Sequence, residues 1–223
     1  MAERIAKLDV KDFYVSPLGR AKDTASLTLG KMNRTATEYE WLREFAPEIY
    51  RPDDTENRGI VWDWLPAEWT KEEDFFRRDL WAFQKNMQEG VSPAVDKSGV
   101  LAEYKWVTSN FDKVLAEHGY VREGDIYRVE KANRDTLVFF CHFGLESVLL
   151  SHLMNVSPMI LWHHTCAAPT SVTTIYTEER REGKAAFRIS GFGDVSHLYA
   201  ADEEPAFSGR FCETYDSAEE RHD

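Results

Sequence analysis

The chain has 223 residues, 43% hydrophobic and 30% charged, enough for one α/β domain with a substantial core. Its net charge of −12 argues against nucleic acid or an anionic membrane surface as the main partner, and the alternating charges of its first residues do not read as a signal peptide. Three cysteines, Cys141, Cys166 and Cys212, lack disulfide-framework spacing, so a reducing cytoplasm is the expected compartment.

Ala2, Ile5 and Ala6, then Leu8, predict a short helix that leads to a strand at Phe13-Tyr14-Val15. Ser16-Pro17-Leu18-Gly19-Arg20-Ala21-Lys22-Asp23-Thr24-Ala25 follows as a strand-to-helix junction. Ser16 is suited to N-cap the helix and Pro17 to occupy its first position, where a missing N–H costs nothing. Ala21, Thr24, Ala25, Thr28 and Leu29 repeat at helical spacing and give that helix one face to bury. Arg20 falls about one turn in, where a guanidinium can reach an anion held by strand ends and helix amides. Trp41-Leu42-Arg43-Glu44-Phe45 then supplies a carboxylate.

Residues 46–98 change character. Arg51-Pro52 opens a polar stretch, and Trp62, Trp64, Trp69 and Trp81 follow. Thr70-Lys71-Glu72-Glu73 predicts a capping box for a helix over 74–83. The segment reads as an inserted cap over the mouth of a sheet, with a second small core beside the sheet as the equal alternative.

Leu101, Tyr104, Thr108, Phe111, Val114, Leu115 and His118 predict an amphipathic helix over 100–118, ended by a left-handed Gly119. A hairpin over 120–129 turns at Glu123-Gly124-Asp125. Thr136-Leu137-Val138-Phe139-Phe140-Cys141 is a continuous apolar strand, the kind buried on both faces of a parallel sheet. It runs into His142-Phe143-Gly144, after which Leu145, Val148, Leu149 and Leu153 continue at helical spacing. His142 is therefore expected at a strand's carboxyl end beside a helix N-terminus, where open α/β sheets bind ligands. Ser157-Pro158 starts a short helix toward His164, and a second hairpin spans 173–189 around Glu182-Gly183. Without a repeat or low-complexity linker, residues 1–223 read as a single domain.

The Ser-Pro-Leu-Gly-Arg-Ala-x-x-Thr-Ala segment at 16–25, Leu-x-Glu at 42–44 and strand–His–x–Gly–helix at 137–153 resemble the histidine phosphatase superfamily, in its phosphoglycerate-mutase-like branch. The resemblance implies a three-layer α/β/α sandwich with a mostly parallel sheet. It implies a phosphatase acting on a small phosphomonoester, without a cofactor or metal. By position, Arg20 and His142 would grip the phosphoryl group, helped by the backbone N–H of Phe143 or Gly144, and Glu44 would be the acid and base.

Members of that superfamily open with a strand followed by Arg-His-Gly, whose histidine takes the phosphoryl group. The one Arg-His pair here, Arg221-His222, follows an acidic stretch with no strand before it, and is not accepted as a substitute. The chain is expected to lack the first central strand and the nucleophile, as an N-terminally truncated phosphatase; the alternative is a non-catalytic phosphate-binding pseudoenzyme. Its expected partner is a small phosphorylated molecule or inorganic phosphate, with a homo-oligomer possible through the open slot in the sheet.

Overall fold

The computed structural model describes residues 1–52 and 54–222; Asp53 and Asp223 lie outside it. In chain order the elements are α1 (Ala2–Ile5), β1 (Val10–Val15), α2 (Gly19–Met32), β2 (Thr37–Glu38), β3 (Glu48–Arg51), β4 (Asp54–Ile60), α3 (Pro66–Trp69) and α4 (Lys85–Gln88). They continue with α5 (Val100–Glu117), β5 (Tyr120–Glu123), β6 (Ile126–Val129), β7 (Thr136–Phe140), α6 (Phe143–Met154), α7 (Pro158–His164), β8 (Val172–Arg181), β9 (Lys184–Asp194) and α8 (Ser196–Tyr199). Among the described residues no helix is long and apolar enough to cross a membrane.

The parallel pairing of β1 with β2 on one side and β7 on the other makes β1 the centre of a three-stranded sheet. Its side chains alternate between two cores. Phe13 and Val15 face a cluster with Ile5, Ala21, Ala25 and Phe140, which is where α1 and α2 pack. Tyr14 faces the opposite way, into a cluster with Phe111, Val114, Leu145 and Val148 from α5 and α6. A register shift between Val10 and Asp12 puts Val10 on the first face as well. These are the three layers the resemblance implies: helices, sheet, helices.

Trp64, Trp69, Phe75, Trp81 and Met87 join the larger cluster without a break, so the tryptophan-dense segment shares the sheet's core. Trp81 meets the edge of Trp162 with ring centroids 5.6 Å apart, and Phe45 stacks on Trp162 at 5.4 Å. The capping box is not formed. Thr70 ends α3, its hydroxyl donating to the Pro66 carbonyl at 2.8 Å, and residues 73–76 and 81–83 are separate single turns. Burial of Trp69, Phe75 and Trp81, with no repeating apolar face between them, outweighs the local capping signal.

The amphipathic helix, both hairpins and the Ser157-capped helix are present, and Gly119 is left-handed at φ 88°. β7 departs from expectation. It was expected to be buried on both faces, yet Thr136–Phe139 are only half-buried and Phe140 alone is fully enclosed. The reason lies in the sheet order: among the described residues β7 pairs with β1 alone. The second, four-stranded sheet runs β5-β6-β9-β8, so β8 pairs only with β9. Both open edges line one cavity of about 2010 Å³.

Unpaired strand edges recruit other strands. The chain is therefore expected to self-associate as its concentration rises, measured by sedimentation velocity or light scattering. A monomer at every accessible concentration would show that the β7 and β8 edges are shielded in solution.

Candidate active site

Parallel strands end on the same side, so β1 and β7 bring their carboxyl ends together; the Ser16 N–H extends the ladder to the Phe140 carbonyl at 2.9 Å. The turn after β1 leads into α2, which begins at Gly19 with Leu18 at its N-cap. The reading of Ser16 as N-cap and Pro17 as first helical residue is thereby corrected. Ser16 is fully buried, and its hydroxyl accepts from the Leu18 N–H at 3.2 Å and lies 2.8 Å from His142 Nε2. The hydroxyl is held by a turn and a histidine, which leaves none of it for the helix's later amides.

His142 occupies the N-cap of α6 in extended conformation, at φ −136° and ψ 161°. Arg20, on the first turn of α2, donates from Nε to His142 Nδ1 at 3.0 Å. Its Nη2 reaches within 3.7 Å of Glu44 Oε2, while most of the guanidinium stays exposed. Three residues separated by up to 122 positions thus meet at one point: Arg20 between an imidazole and a carboxylate. Burial first, then the Arg20 charge, lowers the His142 pKa to about 4.

Glu44 follows the single turn at Glu40–Leu42, which seats Trp41 and Leu42 in the core. One carboxylate oxygen, Oε1, accepts from the N–H groups of Phe45 and Leu145, each at 3.1 Å. The Gly144 amide also faces this carboxylate, so α6 turns its first free N–H groups toward Glu44. Against those donors and Arg20, burial dominates and raises the Glu44 pKa to about 7. Trp62 supplies one wall, its Nε1 donating to the Phe45 carbonyl at 2.6 Å and its ring meeting the edge of Phe143. A Cβ placed on Gly144 would lie 2.5 Å from Trp62 Nε1 and 2.8 Å from Glu44 Oε1. Only a glycine lets indole and carboxylate approach the helix start this closely.

Arg20, Glu44, His142 and Phe143 all line the large cavity, together with Arg51, Trp62 and Asp63. Gly144 backs the site from behind Glu44. Arg221 pairs with Asp63 at 3.0 Å and His222 also borders the cavity, yet no strand precedes them. Cys141 sits behind the site, its thiol pKa pushed far up by burial. Sequence reasoning missed the roles of Ser16 and Trp62. Nothing local marks a serine as the partner of a histidine 126 residues away, and Trp62 is one of several tryptophans.

Residues 1–98 match the model of the histidine phosphatase superfamily (branch 1). No curated protein matches the chain by sequence. Among solved structures it is similar to a mutant phosphoserine phosphatase from Entamoeba histolytica in complex with phosphoserine, at 18% identity and TM-score 0.51, covering 88% of this chain and 80% of that one. The same organism's phosphoserine phosphatase with 3-phosphoglyceric acid aligns at 16% identity and TM-score 0.50, over 88% and 80%. A mycobacterial hydrolase aligns at 16% identity and TM-score 0.51, over 91% and 82%. At such identities the likeness carries the fold alone, and that fold is the one the motifs implied.

The two shifted groups act on stability in opposite directions. Glu44, raised from 4.5 to about 7, contributes stability that is full below pH 4.5 and lost as pH rises through 7. His142, lowered from 6.5 to about 4, contributes stability that is full above pH 6.5 and lost as pH falls through 4. Urea unfolding of Glu44→Gln across pH 4.5–6.5 should therefore show stability falling more steeply on acidification than in the unsubstituted chain. His142→Asn should instead show it falling more on alkalisation, each by on the order of 3 kcal/mol at full extent. Parallel curves for all three proteins would refute both assignments.

Proposed function

We propose that this chain, with a histidine phosphatase fold and a superfamily match over residues 1–98, binds a small phosphomonoester between Arg20 and His142 and belongs to phosphate-ester hydrolysis. The observation that carries the reading is the meeting of Arg20, His142 and a Glu44 that holds its proton near neutral pH, at the carboxyl ends of two parallel strands. A phosphoryl oxygen replaces His142 Nδ1 as the acceptor of the Arg20 Nε–H, and the rest of the exposed guanidinium grips a second oxygen. The released Nδ1 takes up a proton and donates it to the same anion, and the Phe143 amide adds a neutral donor at the helix start.

Glu44 does the proton work. With its pKa near neutrality it gives a proton to the leaving oxygen as the ester P–O bond breaks and an in-line water forms the new O–P bond, and the departing alcohol is neutral. As a carboxylate it then takes back the proton that this water gives up, so inorganic phosphate is released and Glu44 is again protonated. Preorganised donors around the phosphoryl group are each worth on the order of 3 kcal/mol in such a step. Residues 46–98 act as the cap: Trp62 presses on Gly144 and Glu44, and Arg51, Asp63 and Trp64 border the cavity that admits the substrate.

One observation favours a second reading, phosphate binding without turnover. Among the described residues His142 is the one histidine bonded to Arg20 or Glu44, and as part of the anion grip it is not free to take the phosphoryl group. Vanadate and phosphate binding test the shared part. Arg20→Ala should weaken both at least about tenfold, and unchanged binding would remove Arg20 from the site. Release of p-nitrophenol from its phosphate ester, abolished by Glu44→Gln, selects hydrolysis; binding with no release selects the second reading.

A further inference from the structure

Ser16 is placed to decide which nitrogen of His142 meets the anion. A guanidinium N–H can only donate, so the 3.0 Å contact from Arg20 Nε requires a bare lone pair on His142 Nδ1. A neutral imidazole carries one proton, which must then sit on Nε2. Nε2 lies 2.8 Å from Ser16 Oγ, so the ring donates and the serine accepts. The Leu18 N–H occupies a second position on the same oxygen at 3.2 Å. With both lone pairs engaged, the hydroxyl proton of Ser16 points away from the histidine.

We propose that Ser16 is a positioning residue, which holds His142 in the Nε2–H form with Nδ1 turned toward the phosphate side. The inference rests on reading Arg20 and His142 as the anion grip. Its physical force comes from burial: Ser16 is fully enclosed, and an Nε2–H without an acceptor there carries a desolvation penalty. Arg20 from α2 is the charged group that acts on the ring, and its bond is to Nδ1, so it offers Nε2–H no acceptor. When phosphate draws Arg20 away, the imidazole gains its second proton at Nδ1 with both N–H groups already provided with acceptors, Ser16 on one side and the anion on the other. Without Ser16 the Nε2–H has no acceptor, so the form that leaves Nδ1 bare for Arg20 carries that penalty, and the bare nitrogen no longer has a fixed direction.

The test is the ¹⁵N imidazole spectrum of the full chain at pH 7 with no ligand, with His142 assigned by the signals lost in His142→Asn. The expected pattern is a protonated Nε2 and a bare Nδ1. Ser16→Ala should mix the two tautomers and weaken inorganic phosphate binding about tenfold, while Ser16→Thr, which keeps the hydroxyl, should preserve both. A proton on Nδ1 in the unsubstituted chain overturns the proposal, as does a tautomer unchanged in a folded Ser16→Ala. Should Ser16→Ala fail to fold, the spectrum of Arg20→Ala decides: an Nε2–H kept without Arg20 is held by Ser16, and mixed tautomers there overturn the proposal. Because that spectrum needs no ligand, a chain that does not bind phosphate would defeat the functional reading alone, and the tautomer of His142 would still be measured.

Discussion

Everything at the site depends on the parallel pairing of β1 with β7. Parallel strands align their carboxyl ends, so the turn carrying Ser16 and Arg20 and the turn carrying His142 emerge side by side. The same pairing starts α2 and α6 next to each other, their backbone amides directed at a common region. Glu44 enters from a third element, and what holds it there is also backbone: amides of Phe45 and of the first turn of α6. The functional side chains are thus located by strand register and by helix starts, and the cores on both faces of the sheet make that register stiff.

Much of this was legible in the sequence wherever the signal is local or periodic. The face of α2, the length of α5, the hairpins, the Ser157 cap and the place of His142 at a strand end all follow from spacing and turn chemistry. Two local signals misled. Ser16 and Thr70 are both good capping residues by type. In the fold Ser16 is committed to His142, and Thr70 closes the helix behind it. A hydroxyl's preference for amides is worth about 1 kcal/mol, which a buried histidine or the packing of several tryptophans readily outweighs. The half-exposure of β7 was also out of reach, because an apolar run records what a strand can bury, not how many neighbours it has.

The two ionisable groups illustrate how one site can hold opposite shifts. Burial disfavours charge on both, so it raises the acid and lowers the base. Between about pH 4 and 7 the neutral forms of Glu44 and His142 then flank a permanently charged Arg20. The trio then carries a net positive charge, as the proposed phosphate site requires, inside a chain whose overall charge is −12. At physiological ionic strength a local cation a few ångströms away outweighs a diffuse acidic surface. The acidic composition and the proposed anion grip are compatible for that reason.

Glu44's proton affinity is, finally, a property of the segment over 46–98 as much as of the sheet. Trp62, which belongs to that segment, lies against the same face of Gly144 as the buried carboxylate and is tied to the strand side by its bond to the Phe45 carbonyl. Gly144 makes the contact possible by offering no side chain between indole and carboxylate. Trp62 therefore links the packing of the tryptophan-rich segment to the acidity of the group that would protonate a leaving oxygen. A change that moves Trp62 off Gly144 alters the surroundings of Glu44 together with the shape of the cavity that Trp62 and Glu44 both line.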